Sequence, residues 1–324
     1  MLDTYEVRSQ LLDRKNRLEY SIDKIPDKLN LVNLLKEVDS ALERLEDGEY
    51  GVCQACHGAI ENELLRIDPL VEFCLDCLDA KQKRLIEQDL DLAYQIQLGL
   101  LPQNNITLKN WEINFHYEPA GLVSGDYCDL VKSKDGSSLY FIIGDVSGKG
   151  IAASMLMMHI HAMFHSLIEF DLSLTDLVMR VNRLLLESTF SSQYSTLILG
   201  KLNESGEMEI VNAGHNYPIV FKENEIIEVV STGIPLGLFA NAEYGVKKFM
   251  LNKNESIFLY TDGFSEARYN EKEYGKERII EIGRKVSILP AKDIVSEYLK
   301  DLKGFLNGSG KADDLTILAL KKTG

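Results

Sequence analysis

Apolar positions recur at helical spacing over the first 47 residues: Leu11, Leu12, Leu18 and Ile22, then Leu31, Leu34, Leu35, Val38, Leu42 and Leu45. A helix buries a stripe of this period on one face. Ile25-Pro26-Asp27 interrupts the stripe, because proline lacks a helix donor and restricts its predecessor. The pattern predicts two amphipathic helices packed as a pair. Helical spacing returns over residues 78–101. Leu78, Leu85 and Leu92 recur every seven residues, with Ile86, Ala93 and Leu100 on the adjacent stripe, and Leu101-Pro102 closes the run. A heptad repeat at a junction predicts a coiled-coil linker and a homodimer; a single helix laid on the following domain is the other reading.

From residue 104 the pattern changes. Strand-like runs occupy 111–117, 139–143, 195–202, 207–212, 217–221, 256–260 and 315–320. Helix-like runs occupy 150–170, 173–187, 276–285 and 291–305. The strands follow one another without regular βαβ alternation, which predicts a largely antiparallel α+β domain. The expected organisation is a helical and cysteine-containing module over 1–80, a helical linker over 81–103 and an α+β domain over 104–324.

A length of 324 residues suits about two domains. Hydrophobic residues at 45% and charged residues at 26% indicate globular folding rather than disorder. The formal net charge of −15 argues against a nucleic-acid-binding face and against anchoring on anionic lipid. The first twenty residues are dense in charge and carry no secretory signal. The longest apolar run, Ile151 to Phe170, holds three histidines and Glu169 and reads as a buried helix rather than a membrane span. The expected location is the cytoplasm, where disulfides are rare.

Four of the five cysteines fall in one compact pattern: Cys53-x-x-Cys56, seventeen intervening residues, then Cys74-x-x-Cys77. Two such pairs can complete a tetrahedral four-thiolate zinc site with no open position, which makes the zinc structural. Two disulfides or free thiols are the plain alternative. The surrounding residues, Leu42 to Gly51 before Cys53 and Ile60, Leu64-Leu65, Pro69 and Cys74-Leu75-Asp76-Cys77 after it, resemble the zinc finger of the DksA/TraR family. Several members of that family act on RNA polymerase. This chain departs from them: His57 stands where glycine is usual, and the hairpin before the finger is short, with no acidic tip identified. A sensing or docking module that receives an activator is expected, rather than polymerase binding.

Four aspartates stand where apolar runs meet loops. Asp126 lies in a loop-like stretch, Asp145 ends the run from Leu139, Asp262 follows Ile257 to Tyr260, and Asp313-Asp314 precedes Leu315 to Leu320. Carboxylates at strand ends can converge on one rim of a sheet and hold hard divalent ions through oxygen. Any single Asp-Gly pair is an ordinary turn; the ordered set is not.

That set comprises Ser124-Gly125-Asp126-Tyr127-Cys128-Asp129, Gly144-Asp145-Val146-Ser147-Gly148-Lys149-Gly150, Asn212-Ala213-Gly214-His215-Asn216, Thr232-Gly233-Ile234-Pro235-Leu236-Gly237, Tyr260-Thr261-Asp262-Gly263-Phe264-Ser265-Glu266-Ala267 and Asp313-Asp314-Leu315-Thr316. It resembles the SpoIIE/RsbU branch of the PPM (PP2C-type) serine/threonine phosphatases over residues 95–320. The resemblance implies a β-sandwich of antiparallel sheets flanked by helices. It implies two Mn²⁺ or Mg²⁺ ions, bridged by Asp145, with the Val146 carbonyl as a further ligand. Asp262 and Asp313 would hold the second ion, Asp314 being the alternative to Asp313, and Asp126 would hold water around the first. It also implies attack of an activated water on a phosphoserine or phosphothreonine, with no phosphoenzyme, and a phosphorylated STAS-domain regulator of the anti-anti-sigma type as substrate. A rival reading is an interaction adapter that binds RNA polymerase or another partner and keeps the phosphatase-like domain as scaffold.

Other signals point elsewhere. Gly144 to Lys149 is one residue short of a nucleotide phosphate loop, and Gly150 replaces the required hydroxyl. His161 and His165 lie one helical turn apart among apolar neighbours and read as core or edge histidines. His215 reads as holding a turn, Thr316 as orienting a ligand loop, and Cys128 as packing.

Overall fold

A computed structural model describes residues 4–22, 29–77, 80–102, 108–189, 193–308 and 313–324. The Ile25-Pro26-Asp27 break and Leu78 lie outside them, as do the side chains of Leu85 and Ile86. The chain divides into two units, Met1–Asp89 and Leu90–Gly324. The division falls inside the helix expected as a linker.

In the first unit, helices α1 (Thr4–Ile22) and α2 (Leu29–Glu46) pair through Val7, Leu11, Leu18, Val38 and Ala41. Ion pairs Arg8–Glu46 at 3.1 Å and Lys15–Asp39 at 2.7 Å make the pairing antiparallel. The cysteine unit follows, with the short helix α3 (Asn62–Ile67). The buried Arg44 reaches from α2 to the Leu70 and Val71 carbonyls, so the finger and the hairpin fold as one body. Helix α4 (Ala80–Leu100) runs across the division.

The second unit opens with strands β1 (Trp111–Glu118), β2 (Tyr127–Lys132) and β3 (Ser138–Val146), then helices α5 (Gly150–Ile168) and α6 (Leu174–Ser188). Strands β4 (Ser195–Asn203), β5 (Glu207–Ala213), β6 (Ile219–Phe221), β7 (Ile226–Glu228), β8 (Lys247–Met250) and β9 (Ser256–Tyr260) follow. The chain then forms α7 (Asp262–Ser265), the hairpin β10 (Arg268–Tyr269) and β11 (Lys272–Glu273), helices α8 (Lys276–Val286) and α9 (Ala291–Leu306), and β12 (Leu315–Lys322). Two five-stranded antiparallel sheets result, ordered β1-β12-β9-β6-β7 and β2-β3-β4-β5-β8. The expected α+β sandwich is therefore the observed architecture.

The layering follows from alternation along the strands. On β3, Leu139, Phe141 and Ile143 enter the core between the sheets, while Tyr140 and Ile142 face α5 and α6. Burial on both faces explains why this strand reads as an unbroken apolar run. Truncating Phe141 to alanine would leave a cavity costing about 3–5 kcal/mol. Helices α8 and α9 cover the outer face of the other sheet through Ile279, Ile294, Val295, Tyr298 and Leu302. Helix α6 starts where Ser173 Oγ accepts from Asp176 N at 3.1 Å, a regular N-cap. Helix α5 is long and apolar enough to cross a membrane by length and composition. Here Leu156, Met157, Ile160 and Phe164 pack on the outer face of the β2-β3-β4-β5-β8 sheet.

Strands β2, β7, β8, β10 and β11 lie outside the runs expected from sequence. The edge strand β8 is Lys-Lys-Phe-Met, largely exposed and without alternation, so only its ladder to β5 makes it a strand. Strand β2 carries Asp129 among its buried residues, and pattern alone marks such a segment as loop.

Candidate functional site

The four aspartates lie where neighbouring antiparallel strands bring opposite chain directions to one rim. Asp145 is the penultimate residue of β3, and Asp126 immediately precedes β2, whose Tyr127 pairs with Gly144. Asp262 follows β9, and Asp313-Asp314 precede β12, whose Ile317 pairs with Tyr260. The rim therefore draws one pair of acids from each sheet.

Their charges act on one another. Burial, then the charges of Asp262, Asp313 and Asp314, pushes the Asp145 carboxyl up to about 7. Burial and the Asp313 charge raise Asp262. Burial carries Asp126 well above the carboxylate range, helped by Asp145 and Asp314 and opposed by the Thr316 and Thr261 hydroxyls. Like charges gathered this closely favour protonation unless cations neutralise them. The donor set is all oxygen, which suits Mg²⁺ or Mn²⁺. Asp126, Asp145, Asp262, Asp313 and the Val146 carbonyl thus fit hard divalent ions by chemistry.

The supporting residues fix the cluster. Asp126 Oδ2 accepts from Thr316 Oγ1 at 2.5 Å and from Thr261 Oγ1 at 2.9 Å, which joins the loop before β2 to β9 and β12. Asp314 is already engaged: Oδ1 accepts from Ala120 N at 2.7 Å and Oδ2 from Gly125 N at 2.9 Å. Asp313 Oδ2 instead meets Lys149 Nζ at 2.9 Å. Gly125 lies against the Val146 carbonyl, 3.2 Å from where a Cβ would stand, and 3.7 Å from Asp145 Oδ1. At Gly263 a Cβ would fall 1.9 Å from the Asp314 carbonyl oxygen, so only glycine permits α7 to start there. Gln97 on α4 brackets Ser124, donating to its carbonyl at 2.7 Å and accepting from its amide at 2.9 Å.

All of the aspartates singled out in the sequence lie near enough for their charges to act on one another. Gln97, Lys149 and the Thr261 hydroxyl were not anticipated as parts of the site. A hydroxyl beside a strand-end aspartate was a signal for Thr261. Lys149 stood inside the Gly144–Gly150 motif with no role assigned to it, and one glutamine among several in a helix gives no signal. His215 is buried, its amide donates to Asn212 Oδ1 at 2.8 Å, and burial brings its pKa down to about 4, so its ring is uncharged at neutral pH. Cys128 packs as a buried thiol.

In the first unit the sulfurs of Cys53, Cys56, Cys74 and Cys77 all lie within 4.8 Å of one another. The Cys56 and Cys74 sulfurs are 3.7 Å apart. Tetrahedral zinc–sulfur bonds of 2.3 Å require about 3.8 Å. Hydrogen bonds from the Cys77 thiol to Cys74 and Cys56 hold its pKa up at about 12, so four thiolates need a cation to coexist. His57 occupies its position at φ +56°, a left-handed conformation that glycine adopts without strain and histidine tolerates.

Comparison with known proteins bears on the family and the fold. The family model for Stage II sporulation protein E (SpoIIE) matches residues 135–323, more than half of the chain. Asp126 lies before that match and rests on the geometry. Protein IcfG of Synechocystis is 29% identical over 272 residues, covering 72% of this chain and 41% of its own. The phosphoserine phosphatase RsbU of Bacillus subtilis is 27% identical over 186 residues, covering 56% and 55%. The chain thus spans about half the length of these curated relatives. Among solved structures, the SiaA-PP2C domain of Pseudomonas aeruginosa aligns with TM-score 0.66 at 20% identity, over 75% of this chain and 99% of that one. The RsbU and RsbW domains of Rv1364c from Mycobacterium tuberculosis align with TM-score 0.59 at 24% identity, over 69% and 63%. With a matching family model and a PP2C-type fold around the carboxylate rim, the chain belongs to the SpoIIE family.

Proposed function

We propose that the chain is a metal-dependent protein phosphatase that hydrolyses phosphoserine or phosphothreonine. The observation that carries this reading is the convergence of Asp126, Asp145, Asp262 and Asp313 on one rim, with Asp145 pushed up to about 7. Membership in a family with a phosphoserine phosphatase relative supports it. Asp145, the Val146 carbonyl, Asp262 and Asp313 would hold two Mn²⁺ or Mg²⁺ ions, and Asp126 would hold water beside them. When bound, such ions stabilise charge on a phosphoryl group and make water a better nucleophile.

Asp313 is preferred over Asp314, because both Asp314 oxygens already anchor backbone amides of the 120–125 loop. Thr261 and Thr316 position the Asp126 carboxylate. Lys149 balances the Asp313 charge at the solvent side. By resemblance, the substrate is a phosphorylated regulator of the STAS-domain type and the location is cytoplasmic. The four-cysteine unit would bind one structural zinc in a module that receives an activator. Leu92 and Ile96, 60% and 49% exposed on α4, would pair with a second copy as a coiled coil.

The test is phosphate release from a phosphoserine-bearing regulator with and without Mn²⁺. Activity that depends on Mn²⁺ and disappears in Asp145→Ala supports the reading. Full activity in that variant would overturn it.

A further inference from the structure

A second cluster of ligand-type side chains lies on the outer face of the β2-β3-β4-β5-β8 sheet. Asp129 stands on β2 two residues after Tyr127, which places both on the face covered by α5. It is 3% exposed. His161 and His165 lie one turn apart on α5, with rings stacked at 4.1 Å between centroids. Both turn Nε2 toward the same oxygen, Asp129 Oδ2: His165 at 2.6 Å and His161 at 3.6 Å. The three donor atoms lie within 4.8 Å of one another.

A structural ion pair needs only one imidazole. Here a second is stacked behind the first and aimed at the same carboxylate. Two imidazoles four residues apart on a helix present both nitrogens to one ion. The carboxylate is held in place: Tyr127 Oη donates to Oδ2 at 2.9 Å and Leu130 N to Oδ1 at 2.7 Å. Such outer partners orient the ligands of metal sites. The His165 side chain is 44% exposed, which gives an ion an entry path and leaves room for water.

We propose that Asp129, His161 and His165 form a transition-metal site, separate from the carboxylate rim, that takes Zn²⁺ or an ion of its class. Two nitrogens and one carboxylate oxygen with an open position match zinc, whereas Mg²⁺ and Mn²⁺ prefer all-oxygen sets such as the rim. The ion would clip β2 to α5. Asp126 precedes the first of these elements, and the segment of Asp145 and Lys149 leads into the second. Zinc bound here would stiffen the frame of the rim without touching its ligands. The inference stands whether or not the rim hydrolyses phosphoesters.

The test uses the full chain in excess Mg²⁺, so that the rim is occupied. Wild type, His161→Ala and His165→Ala are equilibrated with Zn²⁺, exchanged into zinc-free buffer and counted for zinc per chain. Each variant should carry one zinc fewer than wild type. Asp129 is left intact because its oxygens hold Tyr127 and Leu130. His165 is part-exposed and His161 mostly buried against Tyr127, and unchanged melting without zinc shows that the variants are folded. With Co²⁺, the wild-type-minus-variant spectrum should show d–d bands without thiolate charge transfer, which separates this site from the four cysteines. Equal zinc counts in all three proteins, or a difference spectrum of thiolate character, would overturn the proposal.

Discussion

Replacing Asp145 by asparagine separates the cost of the carboxylate cluster from its use. In the metal-free protein the Asp145 carboxyl is raised from 3.8 to about 7, first by burial and then by Asp262, Asp313 and Asp314. Between those two values the native state holds a proton that the unfolded chain has lost. Stability from this group is therefore full below about pH 4 and is lost as pH rises through about 7. At about 1.4 kcal/mol per tenfold change, the gap amounts to about 4 kcal/mol at pH 8. Asparagine keeps the shape and removes the charge. Metal-free Asp145→Asn should be about 2–4 kcal/mol more stable than wild type at pH 8 and nearly equal to it at pH 4. For a unit of this size that corresponds to roughly 5–15 °C in melting temperature. Trp111 is the single tryptophan and lies buried on β1, so its fluorescence follows the second unit alone. Saturating Mn²⁺ should reverse the order, stabilising wild type and leaving the variant unchanged. Parallel pH–stability curves for the two metal-free proteins would refute the reasoning.

Further substitutions probe the scaffold. Gly263→Ala places a methyl group 1.9 Å from the Asp314 carbonyl oxygen. It should cost about 1–3 kcal/mol by overpacking and abolish phosphate release, checked by Trp111 melting and phosphatase assay. Thr316→Val removes the 2.5 Å hydrogen bond to the buried Asp126. Denaturant titration should show a loss of about 1–3 kcal/mol, with a higher Mn²⁺ requirement for turnover. Cys74→Ser should eliminate one bound zinc and unfold the α1–α2 module while leaving the Trp111 transition in place, since structural zinc drives the folding of small modules. A variant that keeps its zinc would count against the four-thiolate site.

The sequence by itself determined the elements whose burial is one-sided or total. The stripes at helical spacing became α1, α2 and α4, and the run Leu139 to Ile143 became part of β3. Cys53, Cys56, Cys74 and Cys77 were legible because metal spacing is local, two residues within each pair. Asp126, Asp145, Asp262 and Asp313 were legible because each lies in a short motif beside an apolar run, and those motifs follow one another in a fixed order. Only the tertiary structure decided which of those acids lie near one another. Antiparallel pairing of β2 with β3 and of β9 with β12 places chain ends remote in sequence on one rim. That Asp314 rather than Asp313 meets the amides of Ala120 and Gly125 was invisible to spacing. Asp129 gives the clearest contrast. As a residue in a string it is one more acid beside Cys128. The pleat of β2 turns it toward α5, where two histidines more than thirty residues away meet its carboxylate. Spacing along a chain fixes contacts within a turn or a strand; contacts between elements follow from which faces are buried against each other, and that is settled only when the sheets and helices pack.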